Sequence, residues 1–572
     1  MNFYLDNENL SFYLHHPDMD QVVAVKEKNY AEASTHPEAP ANAEEALQQY
    51  DTVMRLLGEI AGEVIAPNAE SVDHEGPQLV DGRVEYARGT RQNLDALIQS
   101  GLYGMTLERQ YNGLNFPRVA AVMAAEIIAR ADVGFATIWG LQDCADTIQQ
   151  FANDELKNKY LPRIYQGATC SMDLTEPDAG SDLQSVRLKA TWDEASNCWR
   201  LNGVKRFITN GDADLHLVLA RSEEGTNDGR GLSYFVFDKA DGGMKVRRIE
   251  NKMGIKGSPT AELQFTNAPC QIVGERRLGL IKYVMSLMNG ARLGVGAQSI
   301  GLCECACREA EAYAASREQF GHSIDKFVAV QDLLRQMRAR TNGARSLMYE
   351  TARYVDLAAS SKPASRIADI LTPLVKFNAS EFANRCAYDC IQVHGGSGFM
   401  KEYACERLYR DARILSIYEG TSQLQVVAAM KGIASGAYLK QIEAYDAKLS
   451  AAIDALTASA LTDEMRRLQA ILRKATEGYR RLYDLVSSEG TSSERFEHST
   501  RALTEVLSSI IMAYLLLLDA LRAAPQCAAT PTTQCDAPCA VTTQCAAFID
   551  SAAFFTKEAI GDVHKHLAIH ES

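Results

Sequence analysis

The feature that most restricts the fold is a double change of hydrophobic period along one chain of 572 residues. From Glu45 to about Gln166 apolar residues recur at helical spacing: Tyr50, Val53, Met54, Leu57 and Ile60 share a face, and Val119 to Ala131 is rich in Ala, Ile and Val. After Gly167 the pattern becomes short apolar or alternating runs, such as Trp199-Arg200-Leu201, Lys205 to Thr209, Leu215 to Ala220 and Tyr234 to Phe237. Asn202-Gly203, Asn227-Asp228-Gly229 and Asp241-Gly242-Gly243 separate them, which predicts a small antiparallel β-domain. Helical spacing then returns: Val284, Met288, Ala291, Val295, Ser299 and Leu302 form one stripe. Val330, Leu333, Leu334, Met337, Thr341, Ala344 and Met348 form another, as in long antiparallel bundle helices. A chain this long exceeds one core.

The expected architecture is mainly α with a small β-domain: an N-terminal extension (1–44), an N-terminal helical domain (45–168), a central antiparallel β-domain (169–280), a helix-bundle domain (281–435) and an additional C-terminal helical domain (436–572). In the last, Leu468, Ile471, Leu472 and Ala475, then Leu503, Leu507, Ile510 and Tyr514, keep helical spacing, with a polar break from Ser487 to Arg495. Ala523 to Cys545 reads as a loop before a final helix near Ser551 to Leu567. The most apolar run, Ile510 to Leu518, is about half the roughly 20 residues of a membrane-spanning helix, so it reads as a buried or docking helix and no transmembrane segment is expected.

A net charge of −14 disfavours nucleic acid and anionic lipid as partners. Met1 to Leu10 carries Asp6 and Glu8 rather than a basic start and an apolar run, and the 14 cysteines form no dense framework, so a cytoplasmic location is expected. Cys527, Cys535, Cys539 and Cys545 lack paired C-x₂-C units and have no His among them, so they read as thiols and no metal site is expected.

Four motifs can carry chemistry. Leu174-Thr175-Glu176-Pro177-Asp178-Ala179-Gly180-Ser181-Asp182 ends a strand in a small-residue turn, exposing backbone N–H groups and hydroxyls to the rim of a flat heterocycle. Phe207-Ile208-Thr209-Asn210-Gly211 ends another strand. Arg317-Glu318-Gln319-Phe320-Gly321, before a helix containing Gln331, offers a donor fork for a pyrophosphate and an aromatic face. The longest is Gln392-Val393-His394-Gly395-Gly396-Ser397-Gly398-Phe399, followed by Arg410-Asp411-Ala412-Arg413 and Ile417-Tyr418-Glu419-Gly420-Thr421-Ser422-Gln423. Its glycines let backbone approach a diphosphate, and Gln392, Thr421 and Gln423 supply neutral donors and acceptors. His394 among glycines reads as structural or as a phosphate-side donor.

In this order, helical then small β then bundle, the chain resembles the acyl-CoA dehydrogenase family over about Glu45 to Ser435, with an added C-terminal helical domain. The resemblance implies FAD, contacted by Leu174, Thr175, Ser181, Phe207, Thr209, Arg317, Gln319, Phe320, Gln331, Gln392, Gly395, Gly396, Thr421 and Gln423. It implies a homodimer or dimer of dimers, because the Arg317 arm reaches a neighbour's FAD. It assigns Glu419 as the base that takes the α-proton of an acyl-CoA while the β-hydride moves to the flavin, giving a trans-2-enoyl-CoA. The thioester oxygen would lie in a site made by the Glu419 backbone N–H and a flavin hydroxyl, with electrons passing to an electron-transferring flavoprotein. A base needs a desolvated carboxylate unopposed by a quenching charge, which the Ile417-Tyr418 flank suits.

Substrate contacts are expected from Ser181, Asn289, Arg292, Tyr418 and Gly420. The family often has Asp where Asn289 stands, and Ala291 occupies the position that carries the base in some members. Trp139, Gln142 and Asp143 either line the acyl pocket or pack helices. Glu176 and Glu402 lack the Tyr-Glu-Gly context and are expected to be dispensable for turnover. Two rivals are an acyl-CoA oxidase, which passes electrons to oxygen, and a DNA-binding flavoprotein relative, against which the charge and the lack of a basic run in the extension argue.

Overall fold

The computed structural model describes residues 1–456, 459–524 and 542–571, so Cys527, Cys535 and Cys539 lie outside the described residues. The chain divides into two compact units: residues 1–302 with 406–419, and residues 303–405 with 420–572.

The first unit joins a helical region to a sheet. Its helices start where side chains cap them: Asn42 accepts from the Glu45 N–H at 2.9 Å before Ala43–Ile60, and Asn153 from the Leu156 N–H at 3.0 Å before Asp154–Tyr165. Two features escaped the periodicity. Short helices Glu8–Leu14 and Met19–Lys26 pack onto this region, with Arg109 bridging Glu27 and Arg130 paired with Asp6. Strands β1 (Gln78–Val80) and β2 (Arg83–Glu85) form a hairpin whose three-residue arms are too short for a readable alternation.

The remaining strands of this unit are β3 (Cys170–Asp173), β4 (Lys189–Asp193), β5 (Cys198–Thr209), β6 (Leu215–Arg221), β7 (Leu232–Asp238), β8 (Met244–Ile249) and β9 (Thr260–Ile272). They run in the order β3-β6-β4-β5-β9-β7, with β8 on β9, and a β6–β7 ladder closes the path on itself. The sheet is not wholly antiparallel: β3 lies parallel to β6, and β4 meets β6 in parallel at Lys189 and Arg221. The long excursion between β3 and β6 allows this, since a parallel partner needs a crossover rather than a tight turn. Inside lie Leu201, Ile208, Val218, Phe235, Phe237, Leu263 and Phe265.

A buried ion pair holds the mouth of this sheet. Lys205 Nζ, 0% exposed, donates to Glu176 Oε1 at 2.9 Å and to the Leu174 carbonyl at 2.9 Å. The same carboxylate accepts from the Arg187 N–H at 2.8 Å and the Leu188 N–H at 2.9 Å. Glu176 therefore closes the loop 174–188, a structural role distinct from its expected dispensability for turnover.

The second unit merges the bundle with the C-terminal helices. Helix Val328–Leu357 presents Ser346 to Asp519 and Asn342 to Ser551, and a Cβ on Gly343 would stand 2.2 Å from the Phe555 ring. Glu304, 2% exposed, lies between Arg338 and Arg345, both at 2.9 Å. Burial pushes its carboxyl up, but Arg338, Arg345 and Arg308 outweigh this and hold it well below the usual range. Helix Glu494–Ala523 is, by length and composition, apolar enough to cross a membrane, which counting only Ile510 to Leu518 had not shown; 78% of its apolar window is buried inside the protein, as in a core helix. Strands β10 (Glu318–Gln319) and β11 (His322–Ser323) form an exposed hairpin, and Cys545 is buried in the final helix, Thr543–Glu571.

Two expectations follow. Glu176→Gln leaves Lys205 buried without its counter-charge and should lower unfolding stability by about 3–5 kcal/mol, read by chemical denaturation; a loss below about 1 kcal/mol would contradict the pair's role. Burial, with nearby Asp132 and Asp73 and against Arg407, raises the Asp411 carboxyl from 3.8 to about 7 in the folded state. Its contribution is full below 3.8 and lost as pH rises through about 7. Asp411→Asn should therefore gain stability relative to wild type across that window, and a pH-independent difference would contradict this.

Candidate active site

In the first unit, the helix Ala404–Leu415 ends with the Ile414 carbonyl accepting both the Ile417 N–H at 2.8 Å and the Tyr418 N–H at 3.1 Å. The chain then turns through Glu419 at φ +53° and Gly420 at φ +85°. A left-handed Glu is unfavourable for an L-residue, so its surroundings must hold it. The Tyr418 hydroxyl donates to Gln298 Oε1, and Gln298 Nε2 donates to the Ala136 carbonyl at 3.4 Å. Upstream, Arg410 binds Asp73 at 2.7 Å and Glu406 at 2.8 Å, and Asp411 accepts the N–H of Ile255.

The field of Glu419 reaches Arg292, Tyr418 and Tyr234. Burial lowers the Arg292 guanidinium and the Glu419 charge raises it back; burial and then Glu419 push the Tyr418 hydroxyl above its ordinary range. Burial, with Cys144, Asp173 and Glu419, does the same to Tyr234. A desolvated guanidinium, that of Arg292, thus feels the Glu419 charge. Asn289 Oδ1 accepts from Arg292 at 3.0 Å, which orients that guanidinium.

The ring-contact residues of this unit meet at the sheet mouth. Leu174 is buried, Thr175 is half-buried with its carbonyl accepting the Arg206 N–H at 2.9 Å, and Ser181 is exposed. Phe207 is 54% exposed at φ +60°, turned out where the β5–β9 register shifts between Lys205 and Ile208, and Thr209 follows half-buried. An exposed ring on a strained backbone beside open strand-end groups fits a flat heterocycle. Tyr234 Oη, Arg292 Nε and Trp139 Nε1 are sealed from solvent with no hydrogen-bond partner among the described residues. Such orphaned donors fit an oxygen-rich ligand.

Gln142 and Asp143 are engaged elsewhere. Gln142 accepts the Gly104 N–H at 2.6 Å and donates to the Trp139 carbonyl at 3.0 Å, while Asp143 pairs with Arg118 at 3.1 Å. Burial raises Asp143 to about 6. For these two the helix-packing reading is the better one; Trp139 keeps its free indole N–H.

In the second unit, Arg317, Gln319, Phe320 and Gln331 are all exposed around the β10–β11 hairpin. Phe320, 92% exposed, sits at its tip at φ +54°, and Gln331 Nε2 donates to the Asp325 carbonyl at 2.9 Å. Gln392 is exposed, and a Cβ on Gly395 or Gly396 would meet nothing within 4 Å, so backbone there lies open to a diphosphate. Tyr313 joins these groups: its carbonyl accepts the Arg317 N–H at 2.9 Å and its hydroxyl meets Ser397 Oγ at 3.2 Å. Gly420 precedes Thr421, which caps the helix Ser422–Ala434, with Gln423 exposed in its first turn. His394 is buried, its Nδ1 donating to the Cys390 carbonyl at 2.8 Å. Sequence reasoning missed Gln298, which anchors Tyr418, and Tyr234; both sit inside apolar runs with no motif to mark them.

Family models for acyl-CoA dehydrogenases match nearly the whole chain: the N-terminal domain at residues 48–168, the middle domain at 171–268, the C-terminal domain at 281–434 and a further acyl-CoA dehydrogenase C-terminal model at 434–551. The 3-methylmercaptopropionyl-CoA dehydrogenase of Ruegeria pomeroyi is 35% identical over 420 residues, 67% of this chain and 71% of that protein. A chain in the structure of the electron transferring flavoprotein of Acidaminococcus fermentans is 31% identical, with TM-score 0.61, covering 67% of this chain and 97% of its own. The fold of an acyl-CoA dehydrogenase from Bacillus anthracis, solved with FAD, extends over 91% of this chain and 87% of its own at TM-score 0.73 and 24% identity. With its three consecutive domains, the open turns at the sheet mouth and a Glu held at the end of an anchored helix, the chain belongs to the acyl-CoA dehydrogenase family, whose members are oxidoreductases carrying FAD.

Proposed function

We propose that the protein dehydrogenates an acyl-CoA thioester to the trans-2-enoyl-CoA, with Glu419 as the base. The observation that carries this is the left-handed Glu419, fixed by the Tyr418–Gln298 bond, with its charge felt at the desolvated Arg292. Bound FAD supplies the acceptor for the β-hydride. Leu174, Thr175, Ser181, Phe207 and Thr209 hold its ring, and Gln392, Gly395, Gly396, Thr421 and Gln423 hold its polar chain. Arg317, Gln319, Phe320 and Gln331 of a neighbouring copy complete it, so the working form is a homodimer or dimer of dimers.

Ser181, Asn289, Arg292, Tyr418 and Gly420 contact the substrate. Glu419 takes the α-proton onto its carboxylate, and its own backbone N–H faces the thioester oxygen where negative charge grows. Arg292 balances the carboxylate before the transfer and CoA anions after binding. An electron-transferring flavoprotein is the acceptor, a reading supported by the 31% identical chain from Acidaminococcus fermentans. Cytoplasmic residence is supported by the absence of disulfides among the described cysteines.

On anaerobic addition of acyl-CoA, the yellow holoenzyme should lose its flavin absorbance and form enoyl-CoA. Glu419→Gln should keep fold, FAD and acyl-CoA binding, yet reduce its flavin slower by about 10⁴-fold or more, the upper end for a general base. Bleaching at near wild-type rate would remove Glu419 from its role, and rapid oxygen uptake with peroxide in proportion would make the protein an oxidase.

A further inference from the structure

Away from these residues, the second unit gathers two thiols and an imidazole at one buried point. Cys390 and His394 stand four residues apart on the helix Lys362–His394, and so on one face. The chain makes the short turn Gly395–Phe399 and returns at Cys405, in the first turn of the next helix. The ligating atoms of Cys390, His394 and Cys405 lie within 4.8 Å of one another, and the residues are 0%, 4% and 0% exposed.

The helix backbone fixes the tautomer of the imidazole, whose Nδ1 also lies 3.9 Å from Cys390 Sγ. The Cys390 carbonyl can only accept, so the 2.8 Å contact puts the proton on His394 Nδ1 and leaves the lone pair on Nε2. The ring stacks on Tyr313 at 4.2 Å and 25°, and Tyr403 closes its edge at 5.8 Å. The Cys405 thiol reaches the Gly398 carbonyl at 3.5 Å.

Thiolate and imidazole donors select zinc over calcium or magnesium, which need oxygen ligands. Two thiolates cancel the charge of a divalent ion, so the metal would be buried without net charge. We propose that Cys390, His394 and Cys405 form a zinc site that ties the glycine turn 395–398 to the two helices flanking it, with a non-protein ligand in the metal's fourth position. The spacing C-x₃-H followed eleven residues later by a lone Cys has no C-x₂-C unit, which is why the sequence did not announce it.

The test is elemental analysis of FAD-loaded protein expressed in zinc-supplemented medium, paired with cobalt(II) exchange read in the red, beyond the flavin bands. About one zinc per chain is expected, with tetrahedral cobalt bands on exchange. Cys405→Ser and Cys390→Ser should each lower bound metal at least about 10-fold, while Cys198→Ser in the first unit retains it. Should both variants fail to fold, mercurial titration of the native wild type should release the zinc in step with thiol modification. Wild type without metal and without cobalt bands, a Cys390–Cys405 disulfide in its place, or variants that keep the metal would each overturn the site.

Discussion

The left-handed backbone at Glu419 is the constraint on which the rest of the site depends. An L-residue there costs roughly 1–2 kcal/mol relative to a right-handed conformation, and a free loop would relax it. Here it cannot relax, because Tyr418 is tied to Gln298 and the preceding helix is pinned through Arg410 to Asp73 and through Asp411 to the Ile255 N–H. The carboxylate is therefore delivered by a chain of fixed contacts, which is what near-attack geometry demands of a base. Gly420, at φ +85°, lets the turn continue into the helix capped by Thr421.

A second constraint governs the sheet mouth. The loop that carries Leu174, Thr175 and Ser181 has no regular partner for much of its length, and Glu176 substitutes for one by accepting from Lys205 and two backbone N–H groups. A buried pair of this kind contributes little net stability compared with apolar packing, but breaking it is costly. Its effect is to specify one loop conformation, beside which Phe207 stands out from β5.

What the sequence revealed follows from which signals repeat. The helical, β and helical regions, and the inward stripe from Val284 to Leu302, rest on many residues each and are legible by period. The hairpin Gln78–Glu85 has too few residues to alternate, and the parallel β3–β6 pairing depends on a partner some 45 positions away (Cys170 with Leu215), which no local pattern encodes. At the site, Glu419, Thr175 and the 395–396 glycines stood out through contiguous motifs. Gln298 and Glu176 act through contacts made only on folding, and Cys390, His394 and Cys405 converge only after the glycine turn reverses the chain.

The central claim, that Glu419 moves a proton at the α-carbon, is tested most directly by isotope exchange uncoupled from flavin reduction. An acyl-CoA analogue that cannot surrender a β-hydride is incubated with the holoenzyme in deuterium oxide, and deuterium at the α-carbon is followed by NMR. Wild type should exchange the α-proton at a rate that Glu419→Gln lowers to that of free analogue in buffer. Undiminished exchange in the variant would contradict the account and place the base on another residue.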